Sequence, residues 1–251
     1  HGAARVLGSA SAIPRVPGVR PDMPQALSVR LVLFDLDGTL VHSAPDLAYA
    51  ANLMLADLGR PPLPPERIAA WVGNGMARLV KRVLTGELDG EPEPALYERG
   101  LERFRAHYAA NLTRETRPYP GAVEALEALA ARGFALGCAT NKPEAFTRPL
   151  LAALGLARFM SVVVGGDTVA ARKPEPLPLL YACERANVVP ARTVLVGDSA
   201  SDVLGARAAG LRSVAVTYGY NQGRDVRALG PDIVVDSLVE LPQYLRLHPA
   251  E

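Results

Sequence analysis

Cysteine, excess charge of either sign and long apolar runs are all scarce in this chain of 251 residues, and each scarcity excludes something. The two cysteines, Cys138 and Cys183, cannot build a disulfide scaffold and have no CxxC partner, so the expected compartment is a reducing cytoplasm. Lys+Arg number 27 against 26 Asp+Glu, a formal net charge of +1. No overall positive field therefore draws in nucleic acid or an anionic membrane, and neither is an expected partner. The longest apolar runs fall far short of the roughly 20 residues that a membrane-spanning helix needs. Neither a GxxxxGK[ST] loop nor a GxGxxG turn occurs, which removes two common nucleotide cradles. The four histidines, His1, His42, His107 and His248, have no metal-ligand spacing. What remains, 49% apolar and 21% charged residues, is the composition of a globular protein long enough to bury about three quarters of its unfolded surface.

Residues 1–22 hold several arginines, no acid before Asp22 and no periodicity. They read as an N-terminal extension, vector-derived or disordered, with Met23 as a natural start; a targeting segment is the alternative. From Val29 onward, β-branched or apolar runs at 30–35, 134–140, 161–167, 193–198, 213–217 and 232–236 alternate with segments of helical period. Most of these runs are continuously apolar, as parallel strands covered on both faces require. Helical spacing marks 121–132, 143–154, 176–187 and 200–209, the first and last closed by Gly133 and Gly210. The predicted fold class is α/β, a doubly wound, Rossmann-like parallel sheet. Between Leu40 and Pro118 no strand pattern is found, only helical patterns near 45–58, 65–71, 75–84 and 94–111. An inserted helical cap over 44–116 follows, on a core formed by 23–43 and 117–251. The PPLPP run (61–65) is read as a turn inside the cap and RPYPG (117–121) as the return hinge. Trp71, Tyr49 and Phe104 fall on apolar faces of cap helices and are expected to pack. Cys138, in a strand expected to be buried, reads as an inert thiol.

The chemistry sits where strands end. The first long strand delivers Asp35-Leu36-Asp37-Gly38-Thr39-Leu40, and Thr193-Val194-Leu195-Val196-Gly197 delivers Asp198, with Asp202 one helical turn later. In an open parallel sheet ligands bind beyond the carboxyl ends of the strands. Several carboxylates at one such edge repel each other unless a cation neutralises them, and Mg2+ suits a few carboxylates that leave room for phosphate. Asp198 and Ser199 could instead cap a helix while Asp35 closes a turn; that reading does not explain two acid-tipped strands with matching turns of small residues. Thr140 and Asn141, at the end of another strand, could donate to phosphate oxygens. Lys173, followed by Pro174, could balance both carboxylates and phosphate, or lie solvated on the surface.

Asp35-x-Asp37-Gly38-Thr39-Leu40, then Thr140, then Lys173-Pro174, then Gly197-Asp198-Ser199-x-x-Asp202 resemble, in order and context, the four motifs of the haloacid dehalogenase (HAD) superfamily. Asp37 points to its phosphatase and phosphomutase branches, since the dehalogenases lack that second acid. Ser43-Ala44-Pro45-Asp46-Leu47, Trp71-Val72-Gly73-Asn74-Gly75, Thr140-Asn141-Lys142-Pro143, Val164-Gly165-Gly166-Asp167 and Thr217-Tyr218-Gly219-Tyr220 narrow the resemblance to the bacterial phosphoglycolate phosphatases, from about Leu31 to Leu245. His42 departs from the acid often found there and reads as a minor change near the hinge.

The resemblance implies a Mg2+-dependent phosphatase of small phosphate esters, 2-phosphoglycolate first, acting as a monomer or homodimer. Asp35 would be the nucleophile and Asp37 the general acid and base. The Asp35 carboxylate, the Asp37 carbonyl and Asp198 would hold Mg2+, with Asp202 orienting that shell. Thr140, Asn141 and Lys173 would stabilise the transferring group, and Thr39 would touch substrate. Specificity would come from the cap, where Gly73, Asn74 and Gly75 open a helix carrying Arg78 and Lys81 that could face a second anion, or where the arginine and lysine are simply solvated. The alternatives are a sugar-phosphate phosphatase, N-acetylmuramate 6-phosphate being the notable substrate, or a β-phosphoglucomutase-like mutase. A catalytically silent scaffold would be marked by loss of Asp35 or Asp37, and both are present.

Overall fold

The computed structural model describes residues 26–249; the N-terminal stretch 1–22 and Met23 lie outside them. In chain order the strands are β1 (Leu27–Val29), β2 (Leu31–Phe34), β3 (Val41–His42), β4 (Arg117–Pro118), β5 (Ala135–Ala139), β6 (Val162–Val164), β7 (Thr193–Gly197), β8 (Arg212–Val216), β9 (Ile233–Val235) and β10 (Leu245–Leu247). The helices are α1 (Ala44–Asp57), α2 (Pro65–Ala69), α3 (Met76–Thr85), α4 (Pro94–Ala110), α5 (Ala122–Ala131), α6 (Glu144–Ala153), α7 (Leu177–Ala186), α8 (Ala200–Ala209) and α9 (Leu241–Tyr244). The six strand runs read from the sequence are the six strands of one parallel sheet, ordered β6-β5-β2-β7-β8-β9.

Continuous apolarity has the expected cause. On β2, Val32 and Phe34 join one buried cluster with Leu126 and Leu129 of α5 and Leu150 of α6. Leu31 and Leu33 join another, with Leu179 and Ala182 of α7 and Ala206 of α8. Successive side chains point to opposite faces, and helices cover both, so no position on the strand is free to be polar. The sheet also winds outward in both directions from β2, first to β5 and β6 and later to β7, β8 and β9. Its centre is thus the point where the winding reverses, which is where such sheets open a crevice at their carboxyl edge.

The helices α1 to α4 pack around a cluster of their own that includes Met54, Val80, Phe104 and Tyr108, joined by Phe146 of α6. Trp71 and Phe104 are buried as expected. Tyr49 is not: it stays 36% exposed with the Arg114 guanidinium 4.0 Å above its ring, a surface cation–π contact instead of a core position.

Two short ladders have no counterpart in the sequence reading. β1 pairs in parallel with β10, tying the start of the described chain to its end. β3 pairs antiparallel with β4, Val41 opposite Pro118 and His42 opposite Arg117. Strands of two or three residues are too short to show a period. The second ladder binds the two chain crossings between sheet and helical block, and Asp46 clamps it. Its buried carboxylate accepts from the Glu115 N–H (2.9 Å), the Thr116 N–H (2.8 Å) and the Thr116 hydroxyl (2.7 Å). Replacing Asp46 by Ala strands these donors without an acceptor and is expected to lower stability by about 2–4 kcal/mol. Denaturant unfolding reads this, and an unchanged midpoint would show that the crossing is held by the ladder alone.

Candidate active site

The site begins with the turn after β2. The Asp35 N–H still bonds the Val196 carbonyl of β7 (2.9 Å), and the chain then folds back tightly, with Leu40 N–H to Leu36 O and Gly38 N–H to Val41 O. Gly38 has φ +91°, and a Cβ there would overlap the Asp198 carboxylate and crowd the Tyr220 ring. Only glycine lets the β2 turn lie against the tip of β7. Asp198 is fixed in turn by the Thr39 hydroxyl (3.3 Å) and the Tyr220 N–H. Asp202 belongs to the capping box that starts α8, its Oδ2 accepting from the Ser199 hydroxyl and N–H.

Lys173 joins these pieces. Its Nζ lies 3.0 Å from Asp35 Oδ1, 2.7 Å from Asp202 Oδ1 and 2.6 Å from the Ala139 carbonyl. It is 4% exposed, so it is not the solvated lysine that the sequence also allowed. Burial disfavours its charge, but Asp202 and Asp35 more than restore it and hold the ammonium above the usual lysine range. Three carboxylates, from Asp35, Asp198 and Asp202, offer oxygens within 4.8 Å of one another against this single ammonium. Burial, then the Lys173 charge pulling the other way, and then Asp202 leave Asp35 at about 6. Burial and the charges of Asp202 and Asp35 push Asp198 well above the carboxylate range, and among the described residues it has no ion-pair partner.

That imbalance is what a divalent ion would correct. The donors are all carboxylate oxygens, which suits a hard cation such as Mg2+. Asp35 and Asp198 fit as ligands. Asp202 fits as an orienting group, because both of its oxygens are already taken by Lys173 and the start of α8.

Asp37 has a cation of its own, Lys142, which the sequence named within a family motif but gave no role. Lys142 Nζ donates to both Asp37 oxygens (3.0 and 2.9 Å) and to the Tyr108 hydroxyl of α4 (2.6 Å). It is 4% exposed. Burial works against this charge too, and Asp37 and Tyr108 hold it above the ordinary lysine range. Burial in turn lifts Tyr108 to about 12, against the pull of Lys142. The sequence did carry a signal: Lys142-Pro143 follows β5 just as Lys173-Pro174 follows β6, two lysines each followed by proline beyond strand ends.

Asp35, Asp37, Thr140, Lys173 and Asp198 line one cleft together with Gly73, Asn74 and Gly75 of the helical block. Three expected substrate contacts are different. Thr39 spends its hydroxyl on Asp198. The Asn141 amide is used at both ends, Nδ2 to the Lys173 carbonyl (2.9 Å) and Oδ1 from the Lys173 N–H (3.0 Å); it locks the lysine-bearing loop to β5, with its second amide hydrogen uncommitted and the residue lining the cleft. Arg78 turns out of the cleft to Glu91 (2.7 Å) and Asp89 (3.0 Å), and Lys81 joins it on Glu91 (2.6 Å). The cause is local: the loop between α3 and α4 supplies acids within reach of one helix face. Arg82, passed over in the sequence, is the buried arginine there; it donates to the Trp71 carbonyl (2.7 Å) and to Asn74 Oδ1 (3.2 Å), fixing the 71–75 loop. His42 is also more than a hinge detail, since its Nδ1 meets the Tyr220 hydroxyl (2.9 Å), which accepts from the Ala44 N–H (2.8 Å) at the start of α1. Cys138 is fully buried, and burial raises its thiol far above the usual range, in keeping with an inert role.

Comparison with known proteins agrees with this geometry. The family model for haloacid dehalogenase-like hydrolases matches residues 29–210. A phosphoglycolate phosphatase of Thiobacillus denitrificans is 50% identical over 214 residues, 85% of this chain and 94% of that protein. One from Nitrosococcus oceani is 43% identical, covering 86% of this chain and 96% of that protein. The crystal structure of a predicted phosphoglycolate phosphatase from Haemophilus somnus superposes with a TM-score of 0.80 at 34% identity, covering 86% of this chain and 97% of that one. Among the described residues no helix is long and apolar enough to cross a membrane.

The raised carboxyls yield a test of the cation. A carboxyl that binds its proton more tightly in the folded than in the unfolded chain adds stability at low pH and loses it as the pH rises, here from the usual 3.8 through about 6 for Asp35. A cation bound in place of the protons reverses that loss. Mg2+ is therefore expected to raise the melting temperature more at pH 7.5 than at pH 5. Equal shifts at both would mean that the ion binds elsewhere.

Proposed function

The chain belongs to the haloacid dehalogenase-like hydrolases and is a phosphoric monoester hydrolase; we propose that it hydrolyses 2-phosphoglycolate to glycolate and phosphate through an aspartyl-phosphate intermediate, with Mg2+ bound beside Asp35 and Asp198. The observation that carries the chemistry is the pair Asp35 and Asp37 on one turn, each held by a different buried lysine and both facing the cleft. The relatives named phosphoglycolate phosphatase support the substrate. Residues 44–116 act as a cap over that cleft, in keeping with the separate apolar cluster of α1 to α4.

An Asp35 oxygen attacks phosphorus, forming an acyl-phosphate bond as the ester P–O bond breaks. Asp37 donates its proton to the departing glycolate oxygen. Now ionised, it takes a proton from a water whose oxygen attacks phosphorus, and the bond to Asp35 breaks to return the carboxylate and release phosphate. Lys173 keeps the Asp35 carboxylate aimed along one direction and offers positive charge where the equatorial oxygens gather negative charge, as does the Thr140 hydroxyl. Mg2+ held by Asp35 and Asp198 would supply neutralising charge for the phosphoryl group. Thr39 and Asp202 hold Asp198 and Lys173 in register, so that the ligands need not reorganise during the reaction.

Phosphate release with Mg2+ across a panel of esters tests this reading. The expected result is a kcat/KM for 2-phosphoglycolate at least about 100-fold above that for N-acetylmuramate 6-phosphate and other esters, a gap of about 2.7 kcal/mol in transition-state binding. A flat panel or a preference for the sugar phosphate would keep the chemistry and overturn the substrate. Asp35→Asn is expected to lower turnover by at least about three orders of magnitude, and wild-type turnover in that variant would overturn the covalent step.

A further inference from the structure

The cleft contains one cation more than the transferring phosphate needs. Of the residues lining it, only Lys142 and Lys173 carry positive charge. Lys173 is saturated, its three N–H groups facing Asp35, Asp202 and the Ala139 carbonyl. Lys142 likewise has an acceptor for each N–H, but its acceptors carry one negative charge, that of Asp37, where those of Lys173 carry two; its third acceptor is the neutral Tyr108 hydroxyl, which a substrate carboxylate would replace. Arg78 and Lys81, the basic side chains that the helical block would be expected to bring to a second anion, are committed to Asp89 and Glu91 outside the cleft. Arg82 is spent on backbone carbonyls and Asn74.

We infer that Lys142 is the residue that selects the substrate's leaving group, receiving a carboxylate attached to the same carbon that bears the ester oxygen, and so restricts the enzyme to phosphate esters of small 2-hydroxy acids. This rests on the substrate reading above and adds the group responsible for it. The distance argument is direct. A general acid must lie within about 2.6–3.2 Å of the oxygen it protonates, and Lys142 Nζ is 2.9 Å from the carboxylate of that acid. Two hydrogen bonds sharing one carboxylate hold the ammonium about 4–6 Å from the leaving oxygen. The carboxylate carbon of a 2-hydroxy acid, two bonds from that oxygen, falls in this gap; an anion carried further along the alcohol overshoots it. Tyr108 reinforces the choice. Its hydroxyl accepts from Lys142 and its ring lies 4.6 Å from the ammonium, so a helix of the block also holds the cation. Charge favours the same substrate: Asp35, Asp37 and Asp198 all line this cleft, and an incoming carboxylate is repelled everywhere except at an ammonium.

The test compares 2-phosphoglycolate with ethyl phosphate, a two-carbon ester lacking the carboxylate, in the wild type, Lys142→Met and Lys142→Arg. Lys142→Met is expected to lower kcat/KM for both esters, because Asp37 loses its partner, but at least about 100-fold more for 2-phosphoglycolate, largely through KM. Lys142→Arg should restore part of the ratio. Equal losses on the two esters would reduce Lys142 to a positioning residue for Asp37 and overturn the inference. Lys142→Gln replaces Lys142→Met should the latter fail to fold. A second readout does not depend on which ester the enzyme prefers: glycolate should inhibit hydrolysis of p-nitrophenyl phosphate by the wild type but not by Lys142→Met. Equal inhibition of both proteins would overturn the role of Lys142. Lys142-dependent inhibition in an enzyme that rejects 2-phosphoglycolate would uphold it and remove the substrate reading instead.

Discussion

The Lys173 ammonium, buried among acids at the carboxyl edge of the sheet, is the constraint around which the molecule is arranged. It bonds Asp35 at the tip of β2, the Ala139 carbonyl at the end of β5 and Asp202 in the first turn of α8, and so ties three neighbouring parts of the edge to one charge. A buried ammonium is tolerable only when surrounded by acceptors, and buried carboxylates only beside a cation. Each group thus justifies the burial of the others. One positive charge among Asp35, Asp198 and Asp202 still leaves the cluster short of neutral, and a divalent ion would correct that deficit.

Around this cluster the chain uses close backbone approach where a side chain would intervene. Gly38 brings the β2 turn against Asp198, and Gly219 approaches the same carboxylate from the loop after β8. Tyr220 then serves several neighbours at once: its N–H fixes Asp198, while its hydroxyl meets Ala44 and His42 at the crossing into the helical block. The block is coupled to the chemistry a second time through Tyr108, Lys142 and Asp37. Asn74 of the block also accepts from the Gln222 amide of the loop after β8 at 3.0 Å. Polar contacts to the site's own residues therefore help to hold the helical block at the carboxyl edge of the sheet.

A charge-paired site of this kind also divides labour between two lysines of similar surroundings. Each lies beyond a strand end and precedes a proline, each is nearly fully buried, and each holds one acid of the Asp35-Leu36-Asp37 turn. In the proposed reaction the acids they hold have different tasks, Asp35 attacking phosphorus and Asp37 handling protons. Separate counter-cations thus give the two carboxylates of one turn different partners.

The sheet was legible in the sequence because its strands are apolar on both faces, and the helices because their apolar positions recur at helical spacing. Asp35, Asp37, Asp198 and Asp202 were legible because each follows a strand end or begins the next helix, and Lys173 because it lies in a loop at the same edge of the parallel sheet. The parts missed or misassigned have a common cause. Arg78 was chosen for its chemistry and its neighbours in sequence, but a long side chain goes to whichever partner folding brings within reach, here Glu91 and Asp89. Lys142 was overlooked because its importance comes from Asp37 and Tyr108, which are distant in the chain and adjacent only after the helical block has packed. Strand ends and apolar periods are properties of contiguous residues, so the sequence alone determined the fold class and the carboxylate edge. The pairing of each charge is a property of non-contiguous residues competing for one another in a low-dielectric cleft, and only the tertiary structure decided it.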